Sequence, residues 1–260
     1  MDLQLQNKVV CITGGSKGIG FETALHFLKE GAQVAICARG QIQLQAAADH
    51  LKQLTGKDVL TVVADISKEK DCENFIQATV QQFGRVDILV NNAGTAAGFA
   101  FEQVSSELWQ NDLDLKLFGM IHTSKSAVKE MKKVGGGSIV NITAVLAKTP
   151  PASSLPSTVS RAAGIALTKA MSNDLGPSNI RVNTVCIGLI RSDQIEKRWK
   201  AQAPELSWEE YSAKVGEMIP LRRIGDTVEA AKAILFLASP AASYITGSSL
   251  HLDGGSSGTI

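Results

Sequence analysis

Residues 9–20 read Val-Val-Cys-Ile-Thr-Gly-Gly-Ser-Lys-Gly-Ile-Gly, and this stretch limits the possible folds more than any other. Val9, Val10, Cys11 and Ile12 form a short apolar run of the kind that makes a strand buried on both faces. Gly14, Gly18 and Gly20 then make a turn whose backbone can approach a ligand without a Cβ in the way. A helix pattern starts at once, with Ile19, Thr23, Leu25 and Phe27 on its apolar side. Strand, turn and helix together bring free N–H groups and a positive helix end to one point, where a phosphate is held. A second strand pattern at Gln33 to Cys37 completes the context that a dinucleotide site needs. The plain alternative is a glycine-rich loop that binds nothing.

The rest of the chain repeats the alternation. Residues 43–54 have a helical pattern closed by Thr55-Gly56, 59–64 a third strand, and 68–83 a helix broken at Gly84-Arg85. A fourth strand at 86–90 runs into Asn91-Asn92-Ala93-Gly94, and one long helix is expected over 106–133. Three glycines stop it before a fifth strand at 138–142; a proline-rich loop at 149–156 leads to a helix over 158–175. Strands at 181–186 and 248–252 complete the set. Alternating strands and helices predict one parallel sheet of about seven strands with helices on both faces. No repeat or composition break divides the chain, so 1–260 reads as a single domain. Ligands on such a sheet bind beyond the carboxyl ends of the strands. Thr13 to Gly20, Asp65, Asn91 to Gly94, Thr143 and Gly188 all follow strand ends and are expected to share one crevice.

Charge and composition remove several classes of function. A formal net charge of +1 with no long basic run offers nothing to nucleic acid or an anionic membrane. No apolar stretch is long enough to span a bilayer, and the N-terminus lacks the pattern of a signal peptide. Cys11, Cys37, Cys72 and Cys186 show no metal or redox spacing and read as buried free thiols in a cytoplasmic protein. No metal site is expected.

From Lys8-Val9-Val10 to Leu252-Asp253-Gly254-Gly255 the chain resembles the short-chain dehydrogenase/reductase family. The motifs that carry the likeness are Thr13 to Gly20, Asn91 to Gly94, Gly137 to Ile142, Ile180 to Asn183 and Ile219-Pro220-Leu221. The resemblance implies a doubly wound Rossmann fold, a small-molecule substrate, a nicotinamide cofactor and assembly as a dimer or tetramer. For the cofactor it implies Gly14, Ser16, Lys17, Gly18, Ile19 and Gly20 at the phosphates and Asp65 with Ile66 at the adenine. Asn91, Ala93 and Gly94 would lie beside the ribose. Gly188 matches the glycine of the family's Pro-Gly motif, with Ile187 where proline is usual. Asp65 also suits a helix N-cap, and Asn92 a turn.

An NAD-specific site carries an acid after the second strand, but this chain has Ala38-Arg39 there. Lys17 and Arg39 are expected to flank a 2′-phosphate, which points to NADP(H); two solvated surface cations are the other reading.

The catalytic set departs from the family's pattern. Family members use a tyrosine, a lysine four residues later, a serine after the fifth strand and an asparagine in the preceding long helix. Matching these motifs puts Ser157 at the tyrosine position, Arg161 at the lysine, Ala144 at the serine and Lys116 at the asparagine. Neither Tyr211 nor Tyr244 has a lysine four residues on. Ser157 is a far weaker acid than a phenol, and Arg161 holds hydroxyls but keeps its proton. Thr143, one residue from the serine position, is a candidate substrate contact. Lys116 either packs its stem and reaches water or points inward, where burial and Arg161 would lower its pKa and make it a proton donor. Residues 189–222 resemble a substrate-side lid, whose Trp199, Trp208, Tyr211 and Met218 either line a pocket or pack the lid to the body. The expected function is an NADP(H)-dependent oxidoreductase acting on a carbonyl, imine or alcohol with unusual proton donors. A cofactor-binding pseudoenzyme acting as a sensor or oligomer scaffold is the alternative.

Overall fold

The computed structural model describes residues 2–259. In chain order its elements begin with β1 (Val9–Thr13), α1 (Gly18–Lys29), β2 (Gln33–Ala38), α2 (Gln41–Thr55), β3 (Leu60–Val63), α3 (Glu69–Phe83) and β4 (Ile88–Asn91). The middle of the chain gives β5 (Gly98–Phe99), α4 (Ser106–Leu113), a π-helical turn (Asp114–Phe118), α5 (Gly119–Lys133), β6 (Gly137–Ala144), β7 (Leu155–Pro156) and α6 (Ser157–Leu175). The last part holds β8 (Ile180–Ile187), α7 (Asp193–Gln202), α8 (Trp208–Val215), α9 (Thr227–Ala238) and β9 (Ser249–Leu252).

Seven strands form one parallel sheet in the order β3-β2-β1-β4-β6-β8-β9. The order reverses between β1 and β4, which places the crevice where a doubly wound sheet binds its ligand. The period-2 alternation of β1 sorts its side chains to opposite faces. Val10 and Ile12 join the core under α1, α2 and α9, while Cys11 joins the core under α3 and α5. Phe27 and Phe75, each without exposed surface, anchor the two cores. Burial of such a side chain stabilises by roughly 1.5–3 kcal/mol, so the sheet is clamped from both faces.

Some elements differ from the sequence expectation. The long helix over 106–133 is an α-helix, a π turn and a second α-helix in one unbroken run. β5 and β7 pair as a two-residue antiparallel ribbon outside the main sheet. The lid splits into α7 and α8, each N-capped by a serine hydroxyl, and has a small core of its own in Ala203, Tyr211 and Ile224. Trp199 and Trp208 pack edge to face beside Tyr211, so these aromatics consolidate the lid. Among the described residues, no helix is long and apolar enough to cross a membrane, and no group of acidic, histidine or cysteine side chains could hold a metal ion.

Candidate functional site

The glycine turn is held by its neighbours. The backbone N–H groups of Gly14 and Gly15 donate to the Cys37 carbonyl at 2.9 and 3.2 Å. Asn92 Nδ2 donates to the carbonyls of Thr13 and Gly14, while Thr13 Oγ1 accepts from the N–H groups of Asn92 and Ala93. Asn92 is therefore the strut between the first and fourth strand ends. A Cβ on Gly20 would lie 2.3 Å from the Gly14 carbonyl oxygen, so only glycine lets α1 start this close to the turn. α1 has no side-chain cap and no acid in its first turn, which leaves its N–H groups for an anion. Next to Gly18, at φ +56°, the space is open. A cradle of free N–H groups at an uncapped helix start fits the pyrophosphate of a dinucleotide. Ser16 and Ile19 sit in the same turn, partly buried, with Ile19 leaning on the core.

Lys17 does something the sequence did not foretell. Its ammonium pairs with Asp193 Oδ2 of α7 at 2.6 Å, across the crevice from turn to lid. Arg39 lines a crevice of about 450 Å³ and makes no ion pair among the described residues. Asp65 lines the same crevice; its carboxylate accepts from the N–H and hydroxyl of Ser67, and the N-cap of α3 is Lys68. Ile66 is buried and packs on Gly119. Asn91 is locked by its own amide, which donates to Ser124 and Asn141 and accepts from Thr123. Ala93 and Gly94 follow it, and the Arg161 guanidinium lies against Gly94, where a Cβ would come 2.7 Å from Nη2. Gly188 donates its N–H to Leu252 and leaves no room for a Cβ beside Asp253.

The four altered catalytic positions fall into two groups. Lys116 points inward with 0% exposure, and its amine donates to Asp112 Oδ1 and to Ser157 Oγ, the latter at 2.5 Å. The π turn carries Lys116, and π turns recur at functional sites because they re-aim a side chain. Asp112 Oδ2 accepts from Ser160 Oγ at 2.6 Å. Ser157 Oγ also accepts from the Ala97 N–H at 2.9 Å. Burial, and then the charge of Arg161, push the Lys116 amine below its ordinary value, while Asp112 opposes both. Arg161 donates to the Ile142 carbonyl; burial lowers its guanidinium pKa against the pull of Asp112, and a guanidinium stays charged throughout.

Thr143 must leave the catalytic set. It is fully buried, with its hydroxyl held between Thr184 Oγ1 at 2.9 Å and Cys186 Sγ at 3.1 Å, so it ties β6 to β8. The next residue, Ala144, offers no polar group. Tyr211 is buried in the lid core and Tyr244 is fully exposed. Asp112 and Ser160 were not among the expected site residues, although each lies a helical turn from one that was.

A parallel sheet with a glycine turn at its topological switch point, facing a buried polar cluster, defines a dinucleotide-binding oxidoreductase. Residues 14–257 match the family model described as Enoyl-(Acyl carrier protein) reductase. An uncharacterized oxidoreductase of Thermotoga maritima is 37% identical, over 98% of this chain and 99% of its own. A short-chain oxidoreductase of Pseudomonas aeruginosa PAO1, described as containing an atypical catalytic center, superposes with a TM-score of 0.94. That protein is 35% identical over 97% of this chain and 98% of its own, and it has also been solved bound to NADPH. The L-sorbose reductase of Gluconobacter frateurii, solved with NADPH and L-sorbose, is 31% identical with a TM-score of 0.93 over the full length of both chains. The chain belongs to the short-chain dehydrogenase/reductase family.

Proposed function

We propose that this protein is an NADP(H)-dependent reductase of a small carbonyl compound whose proton source is Lys116. The observation that carries the reading is the buried amine of Lys116, bonded to Ser157 at the position where family members have tyrosine. The glycine turn and the start of α1 would hold the pyrophosphate, Arg39 the 2′-phosphate, and Arg161 with Gly94 the ribose side. Support for the phosphorylated cofactor comes from the absence of an acid after β2 and from two relatives solved with NADPH. The cofactor, when bound, supplies hydride to the substrate carbon. The chain's own residues orient the substrate oxygen and deliver a proton to it.

Electrostatics favours a carbonyl over an imine. Lys116 and Arg161 bring two cations to the cluster against the single carboxylate of Asp112. Positive charge there stabilises a developing alkoxide and repels an iminium. The cluster also argues against the scaffold reading, because a buried lysine–aspartate pair is often no more stabilising than an apolar pair of the same shape. A chain that only binds cofactor gains nothing from it.

The test is NADPH consumption with a panel of ketones and aldehydes. Lys116→Met should reduce turnover by about 10²–10⁴-fold, the usual worth of general acid help, while NADPH affinity measured by calorimetry changes little. Equal turnover in the variant returns the protein to the scaffold reading.

A further inference from the structure

Ser157 Oγ has two lone pairs, and the structure fills both: one accepts from the Lys116 amine at 2.5 Å, the other from the Ala97 N–H at 2.9 Å. No group among the described residues accepts the Ser157 hydroxyl proton. Ser157 is itself only partly buried, and its neighbours Ala97 and Pro156 line the crevice. The proton is therefore free for an acceptor bound in the crevice. We infer that Ser157 is the catalytic donor that touches the substrate oxygen, that Lys116 reprotonates it, and that Asp112 is a positioning residue held by Ser160. This rests on the reductase reading and names the atoms through which its proton travels.

The arrangement removes the obstacle to serine as an acid. Alone, an aliphatic hydroxyl would have to become an alkoxide, far outside the neutral range. With an ammonium bonded to its oxygen, the Ser157 O–H bond breaks toward the substrate as an N–H bond of Lys116 passes its proton to Oγ. As hydride reaches the carbonyl carbon, the C–O π pair moves to oxygen and takes the Ser157 proton. Ser157 ends as a hydroxyl and Lys116 as a neutral amine, while Asp112 remains a carboxylate. A solvent proton entering the crevice, which Asp112 also lines, restores the ammonium. One carbonyl, one hydride and one proton give one alcohol.

Asp112 is fixed at both oxygens, by Lys116 on Oδ1 and by Ser160 on Oδ2, and so cannot turn away from the amine. Ser160 lies one helical turn beyond Ser157, so α6 supplies both ends of the chain and the α4–π run its middle. The charged groups acting on Lys116 are Asp112 from α4 and Arg161 from α6. Asp112 opposes loss of the amine's charge, while burial and Arg161 make it a stronger acid than a free lysine. The same geometry opposes a nucleophilic role for Ser157, which would need a free lone pair and a neutral lysine.

Three variants and one probe test the relay. Ser157→Ala should lower kcat by about 10²–10⁴-fold with NADPH affinity retained, and Ser157→Thr, which keeps the hydroxyl, should recover most of it. Asp112→Asn removes the charge that raises the Lys116 pKa. The loss of reduction at high pH should then set in at lower pH, and the Lys116 ¹⁵N resonance should titrate earlier in the protein without ligands. A fluorophosphonate should fail to label Ser157. Wild-type kcat in Ser157→Ala, unmoved titration in folded Asp112→Asn, or labelling of Ser157 would each overturn the relay while leaving the reductase reading intact. A wild-type protein that consumes no NADPH with any carbonyl of the panel overturns both.

Discussion

Arg39 follows the second strand, where an acid would accept from the ribose hydroxyls of NAD, and among the described residues it makes no ion pair. A guanidinium so placed favours a 2′-phosphate, through a partly exposed interaction that salt weakens. Arg39→Ala should weaken NADPH by more than about 1.5 kcal/mol while leaving NADH nearly unchanged. Calorimetry at low and high salt checks this, and the wild-type preference for NADPH should shrink as salt rises. Equal loss for both cofactors would place Arg39 elsewhere. At this scale much of the site could be read from the chain. Lys116 drew attention because it stands among Leu115, Leu117 and Phe118, an apolar setting that a surface lysine does not need. Its partners were harder to see. Asp112 is four residues back, but whether such a pair faces solvent or core depends on the helix's rotation against the sheet. Thr143 misled for a related reason: its buried hydroxyl is taken up by Thr184 and Cys186 of the neighbouring strand β8.

The elements that carry the site are the glycine turn, the α4–π–α5 run, α6 and the lid. Strands β1 to β4 were legible because short apolar runs bounded by glycine and polar turns leave few other readings. The π turn was not, since an i→i+5 bond has no residue pattern of its own. β5 and β7, at two residues each, are below the length at which alternation means anything. Helix α9 was absent from the expected elements although Asp226 and Glu229 form a capping box at its start. The lid was legible as a helical pattern, but its attachment was not: Lys17 of the glycine turn binds Asp193 at the start of α7. Both partners are well exposed, so the pair adds little stability. It does occupy the lysine expected at a 2′-phosphate. Asp193→Ala should leave the unfolding midpoint nearly unchanged and free Lys17, so NADPH binds more tightly at low salt and the gain fades at high salt. Tightening of NADH to the same degree would show that the lid, and not the phosphate, is responsible.

Across the whole molecule, the four cysteines report on the closure of the sheet and of the core under α3 and α5. All are free and buried: Cys11, Cys37 and Cys72 belong to the core under α3 and α5, and Cys186 to β8, next to the edge strand β9. Burial pushes the thiols of Cys11 and Cys72 up to about 12, and those of Cys37 and Cys186 up as well. In the unfolded chain these thiols ionise near 8.5, so above that pH the unfolded state holds fewer protons than the folded one. Stability must then fall as pH rises, each thiol contributing up to about 1.4 kcal/mol per pH unit across the gap between its two pKa values. Lys116 acts in the opposite sense. Its folded pKa is lowered, so it adds stability with rising pH up to the unfolded value near 10.4, one group against four. The expected result is a urea midpoint that is flat from pH 7 to 8 and drops steeply from pH 9 to 10.5. A thiol-reactive disulfide at pH 8 should find no cysteine in the native protein, then all four together in a single phase set by unfolding. Removing one buried thiol by Cys72→Ala should shallow the alkaline slope by about a quarter to a third at an initial cost near 1 kcal/mol. Fast labelling of any one cysteine in the native state, or a midpoint that does not change from pH 8 to 10.5, would mean that the core under α3 and α5 is not closed against the sheet as the structure has it.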